Sequence, residues 1–531
     1  MDNQVGGAAR SGQAVKDSAM IAALNASGFV SALLVDIVIA ARFGLGRETD
    51  AFFIAFTIPQ LIASILSITF NVVLVPIFTR VIIAEEKPGL WRISSNLANL
   101  SLMGMGALGV VGSLSAPLLI RVFGAGLDHP TRLLATSLAE LTFLMVIPLG
   151  TVEVFKATLN SLLRFAFPAA TMLIRNVAVL LVVLLYSSSL GIRSLAFGYV
   201  IASWFQLASL AGVLLLSGFR YHLIFQWREP RVVEVLRQIR YPLAGAGLGQ
   251  ANILLERFLA SFLPSGLVSA LSYARRVLRA TDSIFVTSIS TALLPDLSAK
   301  FAHSNLQAFK RSLSLGIKLL VFVSVPVTVA IIALSVPIVR TLFQHGAFDQ
   351  AMTQITARLL SLYILGLPAM ALVQLLIIAY YASLDTTTPF YILSGMLVLN
   401  ITLGLTLFFA LNAEGLALAL SLARIISCVV AMWLLHGRVG TSASGLIRFS
   451  LKVGLAAVVM GLLVSSLHGT ALGQLGDGIV LGRALYLGIS VAIGTVVYTG
   501  IALLLLLREG GPTTQAIKTR LKAAQFRKML K

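Results

Sequence analysis

The chain has 531 residues, of which 58% are hydrophobic and only 11% are charged, and its formal net charge is +20. This composition excludes an ordinary soluble globular protein, in which about a quarter of the residues are charged. Apolar runs of about 20 residues recur along the whole length, and each is long enough to cross a bilayer as a helix. A transmembrane barrel would instead show short segments of alternating polarity. We therefore predict an all-α polytopic membrane protein.

In chain order, the apolar runs predict about fourteen transmembrane segments. Residues 1–17 precede the first run and are polar, without an apolar core or cleavage site. We therefore predict a cytoplasmic N-terminal tail and not a signal peptide. The segments lie near residues 18–41, 51–79, 95–120, 136–163, 165–187, 194–217, 241–262, 267–295, 312–335, 353–381, 388–411, 415–435, 449–468 and 482–507.

Lysine and arginine residues are concentrated in alternate loops, and this bias predicts the orientation of the chain. Both termini are expected in the cytoplasm. The positive charge then reflects the positive-inside bias and contact with anionic lipid headgroups, so we do not expect nucleic-acid binding. The arginines of the most basic loop, at 218–240, are Arg220, Arg228, Arg231, Arg237 and Arg240.

A weak internal repeat divides the chain into two halves. Residues 41–76 overlay residues 260–295 without a gap, and Pro76 meets Pro295. The offset covers six segments, and an even number means that both halves run in the same direction. We predict two six-helix lobes, related by a parallel repeat, with a cavity between them and two extra C-terminal helices. The predicted regions are the N-terminal tail at 1–17, the N-lobe at 18–217, the basic cytoplasmic loop at 218–240, the C-lobe at 241–435, helices thirteen and fourteen at 449–507, and a basic cytoplasmic tail at 508–531.

The sequence contains no enzyme motif. There is no H-E-x-x-H, no P-loop and no nucleophile elbow, and all six histidines fall in predicted loops or at segment ends. Cys428 is the single cysteine, so an intramolecular disulfide is excluded. We expect a protein that is not an enzyme and that holds no metal or cofactor.

Charged residues inside the predicted segments are the candidates for function, because charge is costly in hydrocarbon. Segment eight contains SYARRVLRATDS. Arg275 and Arg279 are four residues apart and share one helix face, Arg276 lies on an adjacent face, and Asp282 could pair with Arg279. Three cations face at most one local anion. We therefore expect a compensating anion from elsewhere, and a substrate phosphate suits the planar guanidinium fork.

Other intramembrane charges leave alternatives open. Asp36 in segment one is expected to be functional or paired, and Asp50 at the start of segment two is a functional acid or an N-cap. Either acid could also pair with the arginines of segment eight, some of which could extend to the interface. Glu153 and Lys156 are three residues apart and could neutralise each other. Arg424 lies near a segment end, where extension to the interface is expected.

Four short stretches, in order along the chain, carry a family resemblance. They are TDAFFIAFTIPQLI…VPIFT at 49–79, LNSLLRFAFPAATMLIRN at 159–176, LASFLPSGLVSALSYARRV…LLPDLS at 259–298 and YYASLDTTTP at 380–389. They resemble motifs around helices two, four to five, seven to eight and ten to eleven of the MurJ (MviN) lipid II flippases. This family belongs to the multidrug/oligosaccharidyl-lipid/polysaccharide exporter superfamily and adds two helices to its usual twelve.

The resemblance implies alternating access in a bacterial inner membrane. Lipid II, a polyprenyl-pyrophosphate-linked peptidoglycan precursor, would enter a cationic cavity from the cytoplasmic leaflet and leave toward the periplasm. Its polyprenyl tail would lie in a groove leading to helices thirteen and fourteen. Arg276 would engage the pyrophosphate, Arg275 and Arg279 would add positive field, and Asp50 matches the family's second-helix acid. With Asp36 these residues form the predicted substrate-binding set, and cell-wall synthesis proteins are expected partners.

The chain departs from the family pattern in its N-lobe. Segment one, NASGFVSALLVDIVIA, lacks the family's arginines, and PQLIASILSITFN lacks the arginine and the acid of helix two. Arg279 lies where an acid is common. Either the cationic site has moved to the C-lobe, or the substrate is another undecaprenyl-linked glycan of the O-antigen or exopolysaccharide type. A small-cation antiporter would favour an acidic cavity, which the arginine cluster opposes.

Overall fold

A computed structural model gives the architecture of the chain. The residues that it describes are mostly helical and contain no strand, which confirms the all-α prediction. A helix satisfies its backbone hydrogen bonds internally, as a hydrocarbon environment requires. Ten helical stretches among the described residues are long and apolar enough to cross a membrane. The described residues are 2–287, 299–301, 306–383, 385, 387–439, 443–467 and 480–507.

The first nine helices cover the predicted segments one to eight, and α9 is followed by a π-helical turn at Asp282–Thr287. Part of the eighth-segment motif, residues 293–298, lies outside the described residues. The helices are α1 (Asp2–Phe43), α2 (Arg47–Leu114), α3 (Ala116–Phe123), α4 (His129–Phe143), α5 (Val146–Ser161), α6 (Ala166–Leu190), α7 (Arg193–Leu216), α8 (Pro230–Ala260) and α9 (Leu267–Thr281).

Seven helices follow in the remainder of the described chain. The predicted basic tail at 508–531 lies outside the described residues. The helices are α10 (Leu306–Ala333), α11 (Ser335–Phe343), α12 (Gln350–Ile364), α13 (Leu367–Ala382), α14 (Thr387–Val439), α15 (Ala443–Ser466) and α16 (Val480–Leu507).

Two of these helices each contain two predicted segments, separated by a kink. Helix α2 departs from helical geometry at Glu86, where φ is 57°, and Pro88 follows two residues later. Helix α14 departs at Asn412, where φ is 53°. A side chain at positive φ breaks the regular hydrogen-bond ladder, so the chain can change direction there. The count of fourteen crossings remains a prediction.

The chain divides into two compact units. The first comprises Met1–Ser272 and Phe343–Met352. In it, α2 packs against α4, α5 and α8, while α6 packs against α1 and α7. One apolar core of this unit is built around Trp91 and Phe155, whose rings meet Phe219 edge to face at 5.2 and 5.8 Å. Phe219 lies three residues beyond Leu216, the last residue of α7, so this core also anchors the start of the α7–α8 connection.

The second unit comprises Tyr273–Leu342 and Thr353–Lys531. Helix α10 packs against α13 and α15, and α15 packs against α16. The Ser421 hydroxyl of α14 donates to the Leu362 carbonyl at 2.6 Å and accepts from the Gly366 N–H at 3.1 Å. A Cβ at Gly366 would lie 2.9 Å from the Ser421 Cα, so glycine permits this close approach of the α12–α13 turn to α14.

Asp385, in the fourth resemblance motif at 380–389, has a structural role. Its carboxylate accepts hydrogen bonds from the backbone N–H groups of Thr387 and Thr388, each at 3.0 Å. These residues begin α14, so Asp385 is an N-terminal cap that fixes where this helix starts.

Glu153 and Lys156 of α5 form a buried ion pair. The Lys156 Nζ lies 2.9 Å from both carboxylate oxygens of Glu153 and 3.5 Å from the Ser67 hydroxyl of α2. The exposed fraction of the Glu153 side chain is 9%, and that of Lys156 is 16%. The neutralisation predicted from their spacing is therefore present, and it lets α5 carry two charges inside the first unit.

Lys156→Met should lower the free energy of unfolding by roughly 3–5 kcal/mol, because it leaves the buried Glu153 charge without its cation. Adding Glu153→Gln should recover most of the loss, since both charges are then absent. Denaturant titration in mixed micelles measures both variants. Equal destabilisation of the single and double variants would show that the pair does not compensate Glu153.

Candidate functional site

The carboxylate of Asp50 binds the N-terminus of α9. Asp50 lies in the first turn of α2 and is 2% exposed. It accepts hydrogen bonds from the Gly266 N–H at 2.6 Å, the Ser269 N–H at 2.8 Å and the Ser269 hydroxyl at 2.7 Å. A carboxylate is favoured at this position because the first N–H groups of a helix lack partners within the helix and carry partial positive charge. Asp50 therefore caps α9, whereas its own helix follows Gly46 with no side-chain cap.

Gly266 makes this contact possible. Its φ is +92°, a conformation that side chains other than glycine rarely adopt. A Cβ at this position would also lie 3.3 Å from the Cβ of Leu45. The turn before α9 can therefore present its N–H groups to Asp50 only with glycine at this position.

Arg257 of α8 supports the same turn and was not among the predicted site residues. It is 7% exposed, and its Nη1 donates to the Ser272 hydroxyl at 2.8 Å and to the Val268 carbonyl at 3.3 Å. Its guanidinium carbon lies 6.0 Å from the centre of the Phe53 ring, and it also interacts electrostatically with Asp50. In the sequence, Arg257 is a charged residue near the end of an apolar run. This pattern fits a buried functional arginine and an arginine that extends to the membrane interface equally well.

Two other turns close against the same end of the first unit. The Gly126 N–H donates to the Ser261 hydroxyl at 3.1 Å, and a Cβ at Gly126 would overlap the backbone of Phe262. The Ala347 N–H donates to the Ala41 carbonyl at 2.8 Å. Four turns thus meet at this end. We call them the four-turn cluster, which comprises residues 44–46, 124–128, 261–266 and 344–349.

Asp128 and Arg47 form a surface ion pair in the same region. Their nearest charged atoms are 3.9 Å apart, and both side chains are largely exposed. The Thr131 hydroxyl donates to Asp128 at 2.6 Å, and this bond holds the pKa of the Asp128 carboxyl below its usual value, with a smaller contribution from Arg47. Exposed ion pairs contribute little to stability. The buried hydrogen bonds of Asp50 therefore contribute more than this ion pair to holding the turns together.

The three predicted arginines of α9 differ in exposure. Arg275 is buried, Arg276 is half-buried and Arg279 is exposed. One helical turn beyond Arg279, Asp282 interacts electrostatically with Arg424 of α14. Arg424 is half-buried, and its Cδ lies 3.0 Å from where a Cβ at Gly366 would be. Within the second unit, Arg424 is therefore a cation close to the acid that follows the arginines of α9.

Asp36, the remaining predicted site residue, lies in α1 and is 3% exposed. The structure places Asp36 and Asp50 in the first unit and the three arginines of α9 in the second. That these five residues bind one substrate remains a prediction. Within the described residues, no group of three or more His, Cys, Asp or Glu side chains could hold a metal ion.

Comparison with known proteins places these features in a family. The family model described as lipid II flippase MurJ matches residues 39–480. A probable lipid II flippase MurJ of Rhizobium meliloti is 30% identical over 397 residues, which cover 72% of each chain. A second, from Buchnera aphidicola, is 27% identical over 392 residues, or 73% of this chain and 77% of that protein.

Solved structures share the fold. A structure described as lipid II flippase MurJ in an inward closed conformation has a TM-score of 0.78 and 24% identity, covering 91% of this chain and 98% of that one. An inward-facing multidrug resistance MATE family transporter of the MOP superfamily has a TM-score of 0.65 and 16% identity, covering 79% of this chain and 96% of that one. At these identities the similarity concerns the fold alone.

Asp50→Ala and Ser269→Ala should show a coupling of roughly 1–3 kcal/mol in a double-mutant cycle, because each removes part of the same buried contact. The free energy of unfolding in mixed micelles is the measurement. Asp50→Ala with Thr79→Ala is the unlinked control pair, since the Thr79 hydroxyl bonds the Val75 carbonyl of its own helix. Additive effects for Asp50 and Ser269 would contradict the capping contact.

Proposed function

The chain belongs to the MurJ lipid II flippase family, and on this premise we propose that it moves lipid II from the cytoplasmic to the periplasmic leaflet by alternating access. The match over most of the chain is the observation that carries the proposal. In alternating access, a central site opens first to one side of the membrane and then to the other. The headgroup of lipid II is joined to its polyprenyl chain through a pyrophosphate, so its passage through a low-dielectric region requires cations along the route.

Arg276 is the residue that we propose to engage the pyrophosphate. It is half-buried, between the buried Arg275 and the exposed Arg279 on the same helix. A half-buried guanidinium is shielded from solvent and can still be reached by a ligand, and its fork can contact two phosphate oxygens at once. Arg275 and Arg279 add positive potential along α9.

Asp50 supports the alternating-access part of the proposal. Its three hydrogen bonds hold the N-terminus of α9, the helix that carries the arginines, against the start of α2. In the proposed orientation, the four-turn cluster lies at the periplasmic end of the first unit. Opening that end would require α9 to leave Asp50. We therefore assign Asp50 a role in holding the four-turn cluster closed. This role does not require Asp50 to touch the substrate.

The surroundings of the transporter form part of the proposal. The family and the apolar helices support a multi-pass protein of the bacterial inner membrane. We propose that both termini lie in the cytoplasm, that anionic lipids contact the basic loops, and that cell-wall synthesis proteins are partners.

Export of another undecaprenyl-linked glycan is the second candidate. The observation that favours it is the absence of arginine from segment one and from PQLIASILSITFN in segment two. Such a substrate would share the pyrophosphate and differ in its glycan. The arginines of α9 would serve either substrate, so a functional test must separate them.

In a bacterium depleted of its own lipid II flippase, the wild-type chain should restore growth and Arg276→Ala should not. Loss of a charge-assisted contact worth roughly 3 kcal/mol would slow transport about 100-fold. Arg237→Ala, which removes an exposed arginine of the basic loop, is the matched control and should rescue fully. Immunoblotting of membranes checks that the three proteins are present at equal levels.

Rescue by Arg276→Ala equal to that of the wild type would contradict the assignment of Arg276. If none of the three proteins rescued at normal membrane levels and lipid II accumulated in the host, the second candidate would replace the first.

A further inference from the structure

The connection between α7 and α8 is an ordered element with bulky exposed side chains. Residues 219–229, which we call the strap, form neither helix nor strand. Phe219 anchors one end of the strap in the core beside Trp91 and Phe155. The strap runs along the part of α2 that follows the kink at Glu86, and every contact described below lies within the first unit.

Two buried asparagines of α2 bind the backbone of the strap. The Asn99 amide donates to the carbonyls of His222 at 3.1 Å and Ile224 at 3.0 Å. Asn96 donates to the Gln226 carbonyl at 3.0 Å and accepts from the Gln226 N–H at 2.9 Å. Asn96 is 0% exposed and Asn99 is 5% exposed, so these bonds are shielded from water. The strap is thereby held in one conformation along α2.

Four bulky side chains of the strap are more than half exposed. Tyr221, Leu223, Phe225 and Trp227 occupy alternate positions and are 52%, 74%, 52% and 59% exposed. Four bulky apolar side chains on a rigidly held segment are unfavourable in water and mark a contact surface. Tryptophan and tyrosine are the residues enriched where a membrane meets water.

The charge pattern of the adjoining helices places the strap at the level of the lipid headgroups. No Asp, Glu, Lys or Arg occurs between Arg92 of α2 and Arg121 of α3, and none occurs between Arg193, where α7 begins, and Arg220 of the strap. Arg92 and Arg220 therefore mark the ends of two apolar spans. The strap begins beside Arg220 and runs close to Arg92. It therefore lies at the level where the phosphate groups of the lipids meet their first acyl carbons.

A pocket of about 430 Å³ lies between the strap and α2. Arg228 stacks on Trp227, with its guanidinium carbon 4.4 Å from the ring centre. The one acid in the lining, Glu229, accepts a hydrogen bond from Asn96 at 2.7 Å. Arg92 is exposed, and its Nη2 lies 3.5 Å from the side-chain oxygen of Gln226. Cations therefore exceed anions in the pocket. Its lining residues are Arg92, Phe225, Gln226, Trp227, Arg228, Glu229 and Pro230.

We propose that this pocket binds the phosphodiester headgroup of an anionic phospholipid of the cytoplasmic leaflet. Arg92 and Arg228 contact the phosphate, and Trp227 and Phe225 lie against the upper acyl chain. The occupant is a resident membrane lipid, so the proposal is independent of which glycan the protein transports. It uses the orientation proposed above, in which the 218–240 loop is cytoplasmic.

The test uses the full-length protein in detergent, titrated with phosphatidylglycerol whose acyl chains are brominated near the headgroup. Bromine quenches tryptophan fluorescence at short range, and the signal that Trp227→Phe removes is the contribution of Trp227. Brominated phosphatidylcholine is the zwitterionic control lipid, and soluble glycerol phosphate is the control for a free phosphate. Arg92→Gln/Arg228→Gln is compared with Arg237→Gln/Arg240→Gln, which changes net charge equally on exposed arginines outside the pocket.

We expect phosphatidylglycerol to quench Trp227 at a lower concentration than phosphatidylcholine does. The Arg92/Arg228 variant should raise the half-saturating concentration of phosphatidylglycerol roughly 30-fold, since each of the two basic residues near a membrane surface contributes about 1 kcal/mol. The Arg237/Arg240 variant should leave it nearly unchanged. Equal loss in both variants would overturn the proposal in favour of a diffuse positive field. No loss in either, or full displacement of the lipid by glycerol phosphate, would overturn it as well.

Discussion

Charge inside a hydrocarbon environment must be compensated, and this constraint organises the structure. Desolvating an ion costs several kcal/mol unless a partner lies nearby. Within the first unit, Glu153 is compensated by Lys156 of the same helix. Asp50 is compensated by the N-terminus of α9 and by Arg257 of α8. The first pair is local, whereas the second ties together three separate elements, so α2, α8 and α9 are held in register by one carboxylate.

The same constraint connects the structure to the proposed transport. Helix α9 begins at the N–H groups that bind Asp50 and continues through Arg275, Arg276 and Arg279. Arg276 is seven positions after Ser269, a rise of about 10 Å along one helix. In our proposal the pyrophosphate of lipid II is the compensating anion for this arginine cluster. A movement of α9 would then change the contact of Asp50 and the position of the arginines together, which couples substrate binding to opening.

Sequence predicts the class of the fold well and the site contacts poorly. Long apolar runs and the Glu153–Lys156 spacing are local signals, and the all-α architecture and this ion pair follow from them. The bond from Asp50 to Ser269 depends on which two turns meet in space, which local spacing does not contain. From its sequence position, Arg257 could equally be an arginine that extends to the membrane interface, and only the structure shows its bonds to Val268 and Ser272. Asn96 and Asn99 are polar residues in an apolar run, and their role emerges only once the strap is seen against α2.

Locking the Asp50 contact tests the central claim most directly. Leu45→Cys and Leu267→Cys flank this contact, since a Cβ at the neighbouring Gly266 would lie 3.3 Å from the Leu45 Cβ, and they leave Asp50 and Ser269 in place. In a Cys428→Ser background they can be joined by a short, reducible thiol cross-linker, and lipid II movement is measured in proteoliposomes before and after reduction. Alternating access predicts that the cross-linked protein stops moving lipid II and that reduction restores transport, while each single-cysteine variant is insensitive to the reagent. Undiminished transport by the fully cross-linked protein would contradict it.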